Sequence, residues 1–119
     1  MTREQVDAIN DVASAMYAIA ASKGFHDGDE RFGVPRDFGA WCANLHGEVS
    51  ELWEAYRRNH LQGQCDKPID LTCADEELAD IVIRAMDTAA ALGVNLGRAI
   101  QVKDEYNKSR PFRHGGKAA

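Results

Sequence analysis

The sequence has few cysteines, no excess of basic residues and no long apolar run. Its three cysteines form no CxxC pair, so neither a disulfide framework nor a zinc knuckle is expected, and reduced thiols are predicted. A net charge of -5 disfavours duplex nucleic acid, whose binding requires a basic face to displace counterions. No segment approaches the roughly 20 apolar residues that cross a bilayer, and no secretory signal pattern opens the chain. These absences predict a cytoplasmic protein without nucleic-acid or membrane partners.

Strand-like alternation and internal repeats are also missing. Apolar residues instead recur every three or four positions, the period of helices with one buried face. Four such segments cover about 2–23, 38–60, 75–92 and 95–108, with Thr72 or Asp75 as the cap of the third. We therefore expect a single all-α domain over 1–119, with four to five helices and an irregular basic tail at 110–119. So short a chain buries little apolar surface alone, which favours a homodimer or homotetramer.

Two acidic pairs are the main chemical feature. Glu48 and Glu51 are three residues apart on the second helix, and Glu77 and Asp80 repeat this spacing on the third. Residues three apart share a helical face, and each pair borders the apolar side of its helix. If the helices pack antiparallel, the four carboxylates meet and require a counter-charge. Their hard oxygen ligands suit Mg²⁺, with Mn²⁺ as the alternative; taken singly, each pair also fits a solvated helix stripe.

A polar stripe on the last helix offers groups that bind phosphate. Lys103, Asn107 and Arg110 lie at i, i+4 and i+7 and therefore on one face. The arginine can hold phosphate oxygens in bidentate fashion. Spacing alone equally allows a surface cation pair near a helix C-terminus, where positive charge is favourable.

Other polar and aromatic residues receive weaker assignments. Glu54 and Glu76 are interpreted as solvated or as supporting the ligands, and Arg84 as a partner of Asp80 or Asp87. A base could stack on the aromatic cluster at the start of the second helix and in the loop before it. The cluster contains Phe25, His26, Phe32, Phe38 and Trp41. Phe38 and Trp41 also share a helical face with Leu45, which fits a core role.

The motifs together resemble the all-α nucleoside triphosphate pyrophosphatases, the MazG-like family, in its small bacterial and phage single-domain form. The matching text is NLHGEVSELWEAYR, with its ExxE, followed by EELADIVIRAMDTAAALGVNLGRAIQVKDEYNKSRPFRHGGK, with its ExxD. This resemblance covers roughly 38–117. The two acidic motifs combined with KxxxN and the RPFRHGGK ending are more specific than either acidic motif alone.

The resemblance implies a Mg²⁺-dependent hydrolase that cleaves a nucleoside triphosphate into the monophosphate and pyrophosphate. The four carboxylates would then be metal ligands, and Lys103, Asn107 and Arg110 would contact phosphates. Either glutamate of the first pair could act as general base, with Glu51 preferred over Glu48. The tail residues Arg113, His114 and Lys117 could close over the triphosphate of the same or a neighbouring subunit, or form a frayed basic terminus.

Two other functions remain open from the sequence. The same site could act on a deoxyuridine nucleotide or on phosphoribosyl-ATP, both of which relatives of this fold use. The chain could also be a non-catalytic helical oligomeric binding module whose acidic residues only keep it soluble.

Overall fold

The computed structural model describes residues 1–118, except for the side chain of His114. In this part of the chain the elements are all helices: α1 (Arg3–Ser22), α2 (Phe38–Arg57), α3 (Cys73–Leu92), α4 (Leu96–Ser109) and α5 (Arg113–Gly116). The expected all-α class is thereby confirmed. Over the same residues, no helix combines the length and apolar character that crossing a bilayer demands.

The helix boundaries follow local capping. At the start of α3 the Thr72 hydroxyl accepts from the backbone N–H of Asp75, and the Asp75 carboxylate accepts in return from the Thr72 N–H. This capping box makes Thr72 the N-cap, one of the two predicted residues. Gly93 ends α3 in the left-handed conformation, with a φ of 76°, which glycine adopts without steric cost. The expectation of an irregular tail was wrong over Arg113–Gly116, which forms one helical turn.

Helix α3 is the centre of the bundle. Both α1 and α2 pack along it, whereas α4 packs mainly on α1. The close approach of α4 to α1 depends on Gly97, where a Cβ atom would overlap the carbonyl oxygen of Val6. The Gly97 N–H also donates to Oδ1 of Asn10 on α1, at 2.9 Å. Helix α4 is therefore fixed on the side of the bundle formed by α1.

The single chain has a thin core and a large surface. Its accessible surface is 8515 Å², whereas about 6,400 Å² is typical of a folded monomer of this mass. The radius of gyration is 16.6 Å, compared with about 13.5 Å for a compact domain of this length. Large apolar side chains are exposed on α2 and α3. We call this set the outer apolar face: Val49, Trp53, Tyr56, Leu78 and Val82.

Candidate metal centre and adjoining cavity

Three of the predicted carboxylates converge between α2 and α3. Oxygen atoms of Glu48, Glu51 and Glu77 all lie within 4.8 Å of one another. The helices run antiparallel, since Glu48 meets Arg84 of α3 whereas Glu51, further along α2, meets Glu77. The expected meeting of the two acidic pairs is thus confirmed for these three residues.

Asp80, the fourth predicted ligand, lies beside this triad rather than within it. It shares with Glu48 the wall of a cavity between the helices. Burial raises the pKa of Asp80, and the negative charges of Glu48 and Glu76 raise it further, while Lys67 and Arg84 act in the opposite direction. The carboxylate is therefore part of the same electrostatic cluster, one helical turn along α3 from Glu77.

The triad contains two buried carboxylate oxygens that the described residues leave unpaired. These atoms are Oε2 of Glu48 and Oε2 of Glu77, which are inaccessible to solvent and have no hydrogen-bond partner within the described part of the chain. Burial, reinforced by the neighbouring Glu51 carboxylate, raises the pKa of Glu77 to about 7. Unpaired buried carboxylate oxygens are costly, and a divalent cation with a preference for hard oxygen ligands would offset that cost. The donor set therefore fits Mg²⁺ or Mn²⁺.

Arg84 supplies the nearest positive charge. Its Nε donates to Oε1 of Glu48 at 2.6 Å, so the prediction that it pairs with Asp80 or Asp87 was wrong. The two side chains lie at equivalent heights on antiparallel helices, a relation that sequence spacing on α3 alone cannot show. Because Arg84 takes only one oxygen of Glu48, Oε2 remains available to a cation.

The two flanking glutamates have opposite environments. Glu54 is half-exposed and pairs with Arg57 at 3.1 Å, in agreement with a solvated role. Glu76 is buried and pairs with Lys67 of the α2–α3 connector at 2.6 Å. Of the two roles predicted for Glu76, the solvated one is therefore wrong, and a role in supporting the ligands stays a prediction. The connector folds back onto α3, as an isolated antiparallel bridge between Gln64 and Thr72 shows, and this fold covers Glu76.

A cavity of about 640 Å³ adjoins the triad at Glu48, whereas Glu51 and Glu77 border a second cavity of about 600 Å³ together with Glu76 and Lys67. The first cavity is the more apolar of the two. One wall is the α1 face that carries Met16, Ile19, Ala20 and Lys23, and Phe25 follows from the next loop. The α2 wall contributes Trp41, Asn44 and Glu48, and the α3 wall contributes Asp80, Ile83, Arg84, Asp87 and Thr88. The cavity is thus apolar on the α1 side, acidic near the triad, and polar at its far end. An apolar cavity with a few convergent polar groups is the usual form of a small-molecule site.

The predicted phosphate-binding residues of α4 do not join the carboxylates within one chain. Lys103, Asn107 and Arg110 line neither of the two cavities that the acidic residues border. Lys103 and Arg110 instead place their charges 4.8 and 5.7 Å from the centre of the Tyr106 ring. Arg113 lies beside Phe112 in the tail. The side chain of His114 is outside the described residues.

The aromatic cluster divides between the cavity and the structural core. Phe25 and Trp41 line the cavity, which keeps Trp41 available as a stacking surface. Phe32 is exposed and lies under the guanidinium of Arg31. His26 is buried, with its ring stacked on Tyr17 at 4.1 Å.

The cavity is also lined by polar residues that were not predicted as site residues from the sequence. Lys23 ends α1, while Asn44 and Thr88 continue the cavity faces of α2 and α3. Helical spacing could have found two of the cavity residues, since Asn44 precedes Glu48 by four residues and Asp87 follows Asp80 by seven.

Comparison with protein-family models, with curated proteins and with solved structures gave no match for this chain.

Proposed function

We propose that this protein is a Mg²⁺-dependent nucleoside triphosphate pyrophosphohydrolase that converts a (deoxy)nucleoside triphosphate and water into the monophosphate and pyrophosphate. The observation that carries the proposal is the Glu48–Glu51–Glu77 triad, with two buried oxygens that no described residue pairs, in which Glu48 borders a largely apolar cavity. The ExxE and ExxD motifs and the RPFRHGGK ending support the same assignment. Magnesium bound there would neutralise phosphate charge and lower the pKa of the attacking water.

Two residues of the triad, Glu48 and Glu51, have distinct roles in this reaction. Glu48 is buried and holds Arg84, so it serves as a fixed ligand. Glu51 is exposed and forms no ion pair among the described residues, so it can orient a water molecule and accept its proton. The water oxygen then attacks the α-phosphorus, the bond from that phosphorus to the bridging oxygen breaks, and pyrophosphate leaves with the bonding electrons.

The cavity is suited to the nucleoside. Trp41 and Phe25 offer aromatic surface to the base, and the α-phosphate would lie beside Glu48 and Asp80. Two positively charged side chains, those of Lys23 and Arg84, also line the cavity. They can contact the sugar or α-phosphate from the protein side, since a guanidinium retains several N–H donors after one is used.

The remaining phosphate contacts require a second copy of the chain. Lys103 and Asn107 lie on α4, and Arg110 directly follows it. This helix packs on α1, and none of the three residues lines a cavity beside the triad. The accessible surface exceeds that of a compact monomer by about 2,000 Å², well above the roughly 800 Å² that each partner buries in a standard interface. We therefore propose a homo-oligomer that covers the outer apolar face and in which these three residues of one subunit reach the site of another.

Placing a charge on the outer apolar face is expected to break this assembly. Trp53 is 57% exposed and stacks on Tyr56, so Trp53→Asp would bury an unpaired carboxylate in the interface. Light scattering after gel filtration should give a dimer or tetramer for the wild type and a monomer for the variant. Val34→Asp, at an exposed loop position, should keep the wild-type mass. A wild-type protein that is monomeric at micromolar concentration would contradict the proposed homo-oligomer.

The activity itself is tested by the products. Purified protein is incubated with each nucleoside triphosphate and Mg²⁺, and the products are separated by anion exchange. The proposal requires monophosphate and pyrophosphate in equal amounts, whereas a diphosphate with orthophosphate would place the cleavage elsewhere and overturn it. Including deoxyuridine di- and triphosphate and phosphoribosyl-ATP in the panel distinguishes the two alternative substrates.

A further inference from the structure

A buried histidine–aspartate pair joins the loop after α1 to the α3 wall of the cavity, one helical turn beyond Arg84. Nε2 of His26 is 2.7 Å from Oδ1 of Asp87, and the His26 side chain is 4% exposed. The imidazole stacks on Tyr17 at 4.1 Å and meets the Trp41 ring at 4.8 Å. Arg31 closes the other side of Tyr17, 3.8 Å from its ring centre. The imidazole is therefore held in one orientation by its neighbours.

The pair fixes Asp87 as a hydrogen-bond acceptor. A carboxylate can only accept, so Nε2 of His26 carries the hydrogen and donates it to Oδ1. Nδ1 of His26 is buried and has no partner among the described residues, so within them the ring makes its one polar contact with Asp87. The Asp87 side chain is 18% exposed and lines the cavity. Oδ2 and the remaining lone pair of Oδ1 are thus free to accept hydrogen bonds from a ligand.

Asp87 lies where the edge of a nucleobase would lie if the phosphate of the nucleotide were near Asp80 and Glu48. Asp87 follows Asp80 by seven residues on α3, which corresponds to about 10 Å along the helix axis. A nucleoside monophosphate with its phosphate near Asp80 and Glu48 would extend its base towards Asp87, beside the Trp41 ring. Arg84 lines the same wall one turn earlier and offers N–H donors. The α3 wall of the cavity therefore presents hydrogen-bond donors at Arg84 and, one turn further along, a hydrogen-bond acceptor at Asp87.

We propose that Asp87, oriented by His26, reads the base and selects those that carry an amino group, guanine above all, over uracil and thymine. This inference rests on the proposed function, since it assumes that the cavity holds the nucleoside. Guanine presents two adjacent N–H donors, N1–H and the 2-amino group, which a carboxylate accepts together. Its O6 is an acceptor suited to Arg84. Uracil offers one N–H flanked by two carbonyl oxygens, which the Asp87 carboxylate repels.

Binding of nucleoside monophosphates in the presence of Mg²⁺ tests the inference independently of hydrolysis, because a monophosphate has no phosphoanhydride bond to cleave. Trp41 lines the cavity, so its fluorescence reports binding, and Trp53→Phe removes the signal of the other tryptophan. In this background guanosine monophosphate should bind about 10- to 100-fold more tightly than uridine monophosphate, as expected for hydrogen bonds to a charged group. Inosine monophosphate lacks the 2-amino group and should lose about tenfold relative to guanosine.

Asp87→Asn is expected to weaken the preference for guanine over uracil. An amide both donates and accepts, so it pairs with the N–H and a carbonyl of uracil. The guanine-to-uracil preference should fall at least tenfold, both in binding and in the ratio of kcat/KM values. Asp7→Asn, at an exposed position of α1, removes the same charge and should leave the preference unchanged. Melting curves establish that each variant folds. The binding of inosine monophosphate is compared with that of guanosine monophosphate in the protein that retains Asp87.

The outcomes separate the two proposals. Equal binding of guanosine, inosine and uridine monophosphates would overturn base reading by Asp87, whether or not triphosphates are hydrolysed. Selective guanosine binding that Asp87→Asn abolishes, in a protein that hydrolyses no triphosphate, would retain the base-reading role and overturn the proposed hydrolase.

Discussion

Glu51→Gln is expected to slow triphosphate hydrolysis by about 10²- to 10⁴-fold, the range that a positioned general base contributes. The substitution keeps the size of the side chain and removes its capacity to accept a proton. It also removes one of the three charges that converge within 4.8 Å. The loss should appear in kcat, since the water is activated only as the transition state forms. Initial rates of pyrophosphate release, measured over a range of triphosphate concentrations, give kcat and KM separately.

Glu54→Gln is the matched control for this experiment. Glu54 lies one turn further along α2 and pairs with Arg57 at the surface. It carries the same charge as Glu51 but lies outside the triad. Its replacement should leave kcat within about twofold, because exposed ion pairs contribute little. A Glu51→Gln protein with near wild-type kcat would exclude Glu51 as the base and transfer that role to another group near the triad.

The fold was predictable wherever local rules dominate. The helical period located α1 to α4, and Thr72 and Gly93 marked the ends of α3 through capping and a left-handed turn. The acidic pairs were predictable for the same reason, since three-residue spacing places two side chains on one face and the apolar residues orient that face inward. The meeting of Glu48, Glu51 and Glu77 follows from those two facts and antiparallel packing.

What the sequence did not predict depends on contacts between distant segments. Arg84 pairs with Glu48 across two helices, and Glu76 is buried because Lys67 of the connector folds over it. His26 was one aromatic among several in a loop without periodicity, yet the structure places it against Asp87, 61 residues away. Such pairings are set by helix register and loop path, which no pattern within one segment specifies.

Glu77→Gln is expected to abolish the stabilisation of the protein by Mg²⁺. A ligand that binds only the folded state raises the free energy of unfolding, by about 2.7 kcal/mol at a hundredfold excess over Kd. Glu77 contributes a buried, unpaired oxygen to the triad, and an amide oxygen without charge is a much weaker ligand. Thermal melts with and without Mg²⁺ should show an increase in Tm for the wild type and for Glu54→Gln, but none for Glu77→Gln.

The same variant should change how stability depends on pH. The pKa of Glu77 is raised from 4.5 to about 7 by burial and the nearby Glu51. Between these two values the folded state holds more protons than the unfolded state, so without metal the free energy of unfolding falls as pH rises through this window. Glutamine does not titrate, so the decrease in the free energy of unfolding that Glu77 causes should disappear in Glu77→Gln. Urea unfolding between pH 5 and 8 measures this difference.

Mg²⁺ competes with the proton at Glu77, so the stabilisation of the wild type by Mg²⁺ should grow as pH rises over the same interval. A stabilisation that stays constant with pH would mean that the ion binds away from the triad.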